Sequence, residues 1–207
     1  GMSLPASETV GPNIAAASEG TTVLYDLDRF DDNYIAEKGI EGDGGADRNS
    51  RWAGADGEDP WTIDFDLGQE RTIQAVRMIP HDSRYESTGF KIYTGSVYST
   101  SDETDFSDFD LAYDSPVYET GTTHFGPFPP ATGRYIRLVI TESNNSHPEF
   151  SEFELYEDVR YATEGYIITQ AVRIGEEGIN FISLDADTPS GTSIKVEVST
   201  GPGLIVD

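Results

Sequence analysis

An all-β sandwich is the fold class that the sequence predicts, and three segments carry this prediction. The segments WTIDFDLG (61–68), RYIRLVI (134–140) and SEFELYE (151–157) alternate apolar and polar residues, which is the pattern of half-buried strands. No stretch of ten or more residues repeats its apolar positions every 3.6 residues, so no long helix is expected. The 21 Gly and 11 Pro among the 207 residues supply the turns that many short strands need.

The remaining strands follow from the same kind of pattern. Segment 61–68 turns its apolar side chains to one face and Asp64 to the other, so we expect it to be half buried and to end at its glycine. Segment 71–80 is apolar on both faces, as an interior strand is, and 90–98 forms a further strand. Residues 101–110 are an acidic excursion between strands.

The charge of the chain limits its partners. Thirty-eight acidic residues against 13 Lys and Arg give a formal net charge of −25. Such a surface repels phosphate backbones and anionic headgroups, so we expect no nucleic-acid partner. No apolar run approaches 18 residues, so no membrane insertion and no signal peptide are expected. The acidity has two interpretations, an ordinary solvated surface or adaptation to high salt. Cysteine is absent, which excludes disulfides and thiol chemistry.

The two ends of the chain differ in character from its middle. Residues 1–20 are small and polar and predict an extended lead-in. Residues 158–207 contain three further strand patterns, which is few for an independent domain. This segment is therefore either a truncated second β-module or an oligomerising segment whose strands complete a sheet with a partner chain, such as a second copy or a neighbour in a virion, or with later sequence.

Six short motifs in the middle of the chain together resemble a known family. They are Glu41-Gly42-Asp43, Ser50-Arg51-Trp52, Trp61 to Gly68, Arg71-Thr72-Ile73, Arg134 to Leu138 and Ser151 to Tyr156. Their order and spacing resemble the discoidin domains, also called coagulation factor 5/8 C-terminal domains, which include the family 32 carbohydrate-binding modules. The resemblance covers residues 13–157. It implies an eight-stranded jelly roll of the galactose-binding type, with adjacent ends and binding loops at one pole. The C-terminal segment resembles, less specifically, β-modules of phage and archaeal surface proteins.

The resemblance implies a structural calcium ion. In sugar-binding members of the family the ion is held by positions that correspond here to Asp43, Ser50 and Glu152, with Glu41 where the family usually has Asp. Oxygen-rich loops suit Ca²⁺, which accepts six to eight oxygen ligands in flexible geometry. Three extra residues, 44–46, lengthen the loop. The alternative is that these carboxylates are ordinary loop residues of an acidic chain.

The resemblance also implies a sugar site on two loops, the one after the Thr-Ile strand and the one before the closing strand. An aromatic ring would stack on the sugar and polar side chains would fix its hydroxyls. The candidates that these loops offer are His81, Asp82, Arg84, Tyr85, Asn144, Asn145, His147 and Phe150. The alternative is that they are ordinary polar loop residues. Because a jelly roll brings both loops to one end, we expect them to be neighbours.

The sequence also predicts which motif residues are structural and whether the chain carries a catalytic motif. Trp52 and Trp61 lie inside framework motifs and are expected in the core, while Arg134 and Arg137 are expected to pair with carboxylates. The chain has no metalloprotease motif, no Gly-x-Ser-x-Gly elbow and no phosphate-binding loop, so no enzyme is predicted.

The function expected is a non-catalytic carbohydrate-binding or adhesion module. Its partner would be a glycan or glycoprotein, and its place would be extracellular, on a cell surface or virion, with salt adaptation. Two alternatives stay open. One is a structural virion, tail or fibre component, and the other is an accessory module of a larger glycoside hydrolase.

Overall fold

The computed structural model describes residues 9–47, 50–57, 60–81, 84–157 and 159–160. All of them belong to the unit that spans Pro5–Thr163. The predicted strands of 161–207 lie outside the described residues. Within the described part of the chain, no helix has both the length and the apolar character needed to cross a membrane.

Antiparallel strands make up almost all of the regular structure. The strands are β1 Thr9–Val10, β2 Thr22–Tyr25, β3 Trp52–Ala53, β4 Trp61–Pro80, β5 Ser87–Gly95, β6 Asp110–Asp114, β7 His124–Ser143, β8 Glu149–Tyr156 and β9 Val159–Arg160. Two short 3₁₀ helices, Ala17–Glu19 and Ala36–Gly39, lie in the loops. The strand order of the main sheet is β3-β8-β4-β7-β5-β6, with β2 also paired to β4. This architecture confirms the predicted all-β jelly roll.

Strands β4 and β7 are each 20 residues long and bend through the molecule. The sequence predicted two strands, 61–68 and 71–80, where the structure has one. The pairing of β4 with β7 shifts register between Asp66 and Arg71. Gly68 lies inside this shift with a φ of +76°, a conformation that glycine adopts without steric cost. The strand therefore continues through an irregularity at this glycine instead of ending there.

The core lies between the apolar faces of the long strands. Trp52 and Trp61 are 0 % and 4 % exposed, as their framework motifs predicted. Phe65 of β4 stacks on Phe153 of β8 with ring centroids 5.5 Å apart. Each of these aromatic rings removes a large apolar area from water, which stabilises the packing. The core therefore holds together segments from both halves of the described chain.

The polar face of β4 is buried, contrary to the predicted half-buried strand. Asp64 is fully buried, and its two carboxylate oxygens each accept a hydrogen bond from Arg137 of β7 at 2.8 Å. The same guanidinium donates to the carbonyl of Asp105 at 2.7 Å and lies 4.6 Å from the centroid of the Phe109 ring. The acidic 101–110 segment therefore folds over this face. The predicted pairing of Arg137 with a carboxylate is confirmed.

Arg134 forms the equivalent pair at the edge of the same face. Its Nε and Nη2 donate to the two oxygens of Asp66, both at 2.8 Å. The Arg134 side chain is 43 % exposed, so this bidentate pair is partly solvated. Pairing with a carboxylate is confirmed for this arginine too.

The two ends of the domain meet. Strand β1 pairs with β9. The Ile14 amide donates to the carbonyl of Leu155 in β8 at 2.9 Å, and Ile14 is 2 % exposed. The predicted extended lead-in therefore joins the core from Ile14 onward, inside the region 13–157 that the resemblance covered.

Candidate functional site

His147 lies at the end of the sandwich where β4 and β7 finish and β5 and β8 begin. Its Nδ1 is 2.6 Å from Oδ1 of Asp56, and its Nε2 is 3.5 Å from Oε1 of Glu149. The residue is only 9 % exposed. Its ring is thus held between two carboxylates from separate segments, and each ring nitrogen faces one of them.

Aromatic rings contact the same histidine. The Tyr85 ring lies parallel to the imidazole, with centroids 4.5 Å apart and an interplanar angle of 6°. The Phe30 ring is tilted against it at 5.3 Å. We refer to His147, Asp56, Glu149, Tyr85 and Phe30 together as the His147 cluster.

Backbone hydrogen bonds join the two loops that were predicted to be neighbours. The Glu86 amide donates to Oδ1 of Asn144 at 2.9 Å, and the Asn144 amide donates to the carbonyl of Glu86 at 3.3 Å. The Glu149 amide also donates to the carbonyl of Tyr85. The structure therefore brings 84–86 and 144–149 together at one pole, although they are about 60 residues apart in sequence.

Phe30 is the member of the cluster that the sequence analysis missed. Its side chain is 46 % exposed, and its amide donates to the carbonyl of Ala53 at 2.8 Å, which holds it beside the segment that carries Asp56. The segment DLDRFDDN around it matches no motif. The available signal was a phenylalanine set between charged residues, Arg29 and Asp31, in a segment without a strand or helix pattern.

Two arginines near the cluster, Arg51 and Arg29, are paired with carboxylates. Nε of Arg51 is 3.2 Å from Oε2 of Glu149, and its guanidinium lies 4.4 Å from the centroid of the Tyr34 ring. Nη2 of Arg29 is 2.8 Å from Asp32. The hydrogen bonds from His147 and then Ser146 hold the pKa of Asp56 below its usual value, so this carboxylate is ionised at neutral pH.

The other predicted ligand residues divide between the pole and its surroundings. Arg84 lies 5.7 Å from the centroid of the Tyr85 ring, and Asn145 is exposed next to Ser146. His81 is half buried, with its Nδ1 3.2 Å from Oγ of Ser151. Asp82 lies outside the described residues.

Phe150 requires a correction. It was predicted among the ligand-binding residues of the two loops, but it is 0 % exposed and stacks on Trp52 at 5.1 Å. The Phe150 ring also packs closely against Gly39, since a Cβ added at Gly39 would lie 2.3 Å from the ring. The ring is enclosed because β8 pairs with β3 through Phe150 and Trp52. Phe150 is therefore a core residue.

Comparison with protein families identifies the family of the chain. The family model of the F5/8 type C domain matches residues 14–155, more than half of the chain. The chain belongs to the F5/8 type C domain family. No curated protein matches the sequence of this F5/8 type C domain. The resemblance that its six motifs suggested is confirmed.

Solved structures share the fold of this F5/8 type C domain. Chitosan-binding module 1 from the chitosanase/glucanase of Paenibacillus sp. IK-5 is 21 % identical with a TM-score of 0.54, covering 70 % of this chain and 98 % of that one. The family 32 module of C. perfringens NanJ, solved with galactose, is 16 % identical with a TM-score of 0.55, covering 72 % and 99 %. The family 32 module of Streptococcus pneumoniae EndoD is 18 % identical with a TM-score of 0.54, covering 70 % and 99 %. At these identities the similarity shows the jelly-roll fold.

The predicted cation loop of the F5/8 type C domain packs against β8. Glu152 is fully buried, and its Oε1 accepts a hydrogen bond from the Gly42 amide at 2.8 Å. Its Oε2 is buried and has no hydrogen-bond partner among the described residues. Burial, followed by the neighbouring Asp43 carboxylate, raises the pKa of Glu152 to about 8. A buried carboxylate with an orphaned oxygen next to a second carboxylate fits a divalent cation.

The other predicted cation ligands are placed differently. The two carboxylate oxygens of Asp43 accept hydrogen bonds from the amides of Gly45 and Asp47, both at 2.8 Å, and the Asp47 amide is the main cause of a lowered Asp43 pKa. The Ser50 hydroxyl donates to the carbonyl of Lys38 at 3.2 Å. Glu41 is exposed. The structure thus joins Asp43 to Glu152, while Ser50 and Glu41 have other surroundings.

Proposed function

We propose that this F5/8 type C domain is a non-catalytic glycan-binding module whose ligand lies on the His147 cluster. The observation that carries the proposal is the exposed Phe30 ring beside the Tyr85–His147 stack, with the exposed Asp56 carboxylate on the same histidine. An aromatic face packs against the C–H face of a sugar, and adjacent imidazole and carboxylate groups bind its hydroxyls. The modules of similar fold from Paenibacillus and C. perfringens, named for chitosan binding and solved with galactose, support this choice.

The carboxylates of the cluster favour binding over catalysis. A general acid needs a carboxyl group that keeps its proton near the working pH. The pKa of Asp56 is instead lowered by its hydrogen bonds from His147 and Ser146, and Glu149 is paired with Arg51. Asp56 is therefore not suited to protonate a leaving group, and the Glu149 carboxylate is occupied by a cation.

The setting of the module is part of the proposal. We place it outside the cell, on a cell surface or virion, where repeated copies would add avidity to a weak single site. The net charge of −25 supports adaptation to high salt. A second candidate, an accessory module of a glycan-cleaving enzyme, is favoured by the origin of the Paenibacillus module in a chitosanase/glucanase. An assembly role would rest on 158–207.

We also propose that the Glu152 loop holds a structural calcium ion. Glu152 and Asp43 would supply side-chain oxygens. Among the described residues no group of three or more carboxylate or imidazole side chains is placed to hold a metal ion, so backbone carbonyls and water would complete the shell. Bound calcium would stabilise the folded domain by neutralising the buried carboxylate.

The test of the glycan proposal is isothermal titration of the domain with galactose and with chitotriose. Phe30→Ala should weaken binding about tenfold or more, because loss of an aromatic platform removes the main apolar contact with the sugar. Leu111→Ala is the matched control, since Leu111 is 53 % exposed on β6, away from the pole. Equal affinity in Phe30→Ala and the parent protein, or binding of neither sugar, would remove the proposal.

The calcium proposal is tested by thermal unfolding. The midpoint should rise with roughly millimolar Ca²⁺ and fall again with chelator, and Glu152→Gln should abolish the response. Glu119→Gln, an exposed glutamate in another loop, should keep it. An unfolding midpoint that ignores Ca²⁺ in the parent protein would exclude the site.

A further inference from the structure

We propose that the His147 cluster selects glycans that carry a protonated amine, such as glucosamine oligomers, over N-acetylated or acidic glycans. This inference rests on the proposed glycan-binding function and names the ligand class of the same site. It follows from the position of one carboxylate oxygen, from the charges around it and from the ring beside it.

Asp56 offers an acceptor at the exposed side of the cluster. Its side chain is 60 % exposed, and its Oδ1 accepts hydrogen bonds from His147 at 2.6 Å and from the Ser146 hydroxyl at 2.8 Å. Its Oδ2 accepts no hydrogen bond from the described residues. The histidine and serine thus fix the carboxylate while one oxygen stays available to a ligand, and an ammonium group is a stronger donor to it than a hydroxyl.

The Phe30 ring is held next to this carboxylate by the backbone. Arg29 and Gly54 form an antiparallel bridge, and the Phe30 amide donates to the carbonyl of Ala53. The two segments therefore run side by side, and both Phe30 and Asp56 contact His147. A sugar ring stacked on Phe30 would have its substituents within reach of Asp56.

The charges at this pole favour a cation. The described segments 26–34, 50–57, 84–86 and 143–149 contain seven carboxylates and three guanidinium groups. Three of the carboxylates are buried, so the ones that a ligand could meet at the surface are those of Asp28, Asp31, Asp32 and Asp56. Two of the guanidinium groups are paired, Arg29 with Asp32 and Arg51 with Glu149. The third, Arg84, lies 5.7 Å from the centroid of the Tyr85 ring and has contacts of its own, and its positive charge opposes the trend. The net negative charge here would weaken the binding of a uronic acid, leave that of a neutral sugar unchanged and strengthen that of an amino sugar.

The test compares chitotriose, whose amines are protonated, with its fully N-acetylated form, which is uncharged and carries acetyl groups, by calorimetry at about pH 6 with the whole chain; the salt dependence and the Asp56 variant below separate the effect of charge from that of the acetyl groups. An exposed ion pair adds up to about fivefold in affinity, so chitotriose should bind the parent protein more tightly by that factor in about 50 mM NaCl. The difference should shrink in about 500 mM NaCl, where the Debye length is only a few ångströms.

Two variants assign the effect to a residue. Asp56→Asn should bring the ratio of the two affinities close to one. Asp110→Asn, which removes the same charge from an exposed position on β6, should keep the ratio. Equal affinities in the parent protein, tighter binding of the acetylated trimer, or an unchanged ratio in Asp56→Asn would each overturn the inference while the glycan-binding function stands. Binding of neither trimer, nor of galactose, would overturn both.

Discussion

Two histidines of this domain have nearly the same aromatic neighbour and very different surroundings. The His147 ring stacks on Tyr85 at 4.5 Å, and the His124 ring stacks on Tyr118 at 4.4 Å. The nitrogens of His147 face two carboxylates, whereas Nε2 of His124 lies 2.9 Å from the hydroxyl of Tyr113.

The phenylalanine beside each histidine also differs in its exposure. Phe90, which is fully buried, meets His124 edge-on at 5.4 Å, while the phenylalanine beside His147 is the half-exposed Phe30. Burial lowers the pKa of His124 below its ordinary value, because a charged imidazole would lose its water there. A stacked histidine is therefore a packing residue or a candidate binding residue depending on two features: which groups its ring nitrogens contact, and whether the phenylalanine beside it is buried or exposed.

The largest effect is expected from truncating the packed histidine. His124→Ala should lower the free energy of unfolding by about 2 kcal/mol, because it leaves a cavity among Phe90, Tyr113 and Tyr118. Urea unfolding followed by tyrosine and tryptophan fluorescence measures this. Sugar affinity, measured under conditions where the variant is folded, should not change. A loss of affinity would mean that His124 belongs to the site.

The next effect concerns the other histidine. His147→Phe keeps an aromatic ring against Tyr85 but loses both contacts with carboxylates, and we expect sugar affinity to fall at least about tenfold, or about 1.4 kcal/mol. His124→Phe is the matched control and should bind like the parent protein. Titration of both variants with the same glycan decides the point. Equal sugar affinities of His147→Phe and His124→Phe would contradict the assignment of His147 to the binding site.

A smaller effect concerns pH. Because the folded-state pKa of His124 lies below its ordinary value of 6.5, the unfolded chain takes up this proton first as pH falls. The contribution of His124 is therefore fully present above pH 6.5 and is lost as pH falls through the folded-state value. The stability of the parent protein should decline over this range relative to that of His124→Phe, as measured by urea unfolding at several pH values. Parallel curves would contradict the burial of a neutral imidazole.

The smallest effect is expected at the tyrosine that stacks on His124. The Tyr118 hydroxyl is buried and has no hydrogen-bond partner in the described part of the chain. Removing an unpaired buried hydroxyl costs little, so Tyr118→Phe should change the free energy of unfolding by less than about 0.5 kcal/mol or raise it slightly. Urea unfolding checks this. A loss well above that size would show that the hydroxyl has a partner.

Much of the scaffold could be predicted from local patterns. The alternation in 61–68 placed Trp61, Ile63 and Phe65 in the core, and all three are at most 4 % exposed. The same pattern placed Asp64 in solvent, which is wrong, because the partner that buries Asp64 is Arg137, 73 residues away. Alternation reports only which residues share a face of a strand and says nothing about what later covers that face.

The candidate site shows the same limit more clearly. The sequence pointed to Tyr85 and His147, since both lie in loops that the family resemblance singled out, and the fold joins them. It also included Phe150 among the ligand-binding candidates and overlooked Phe30, although Phe150 is enclosed beside Gly39 and Phe30 is half exposed. Both are lone aromatic residues beside polar ones. Their exposure differs only through contacts with distant segments.

The strands, their apolar faces, the strong negative charge and the family could all be predicted from the sequence, because each of these depends only on neighbouring residues or on composition. Only the folded structure reveals that Phe30, Asp56 and His147 meet at one pole, and that a buried oxygen of Glu152 has no hydrogen-bond partner among the described residues. The physical reason is that such meetings depend on the register and bending of long strands, above all β4 and β7, which pair residues many tens of positions apart.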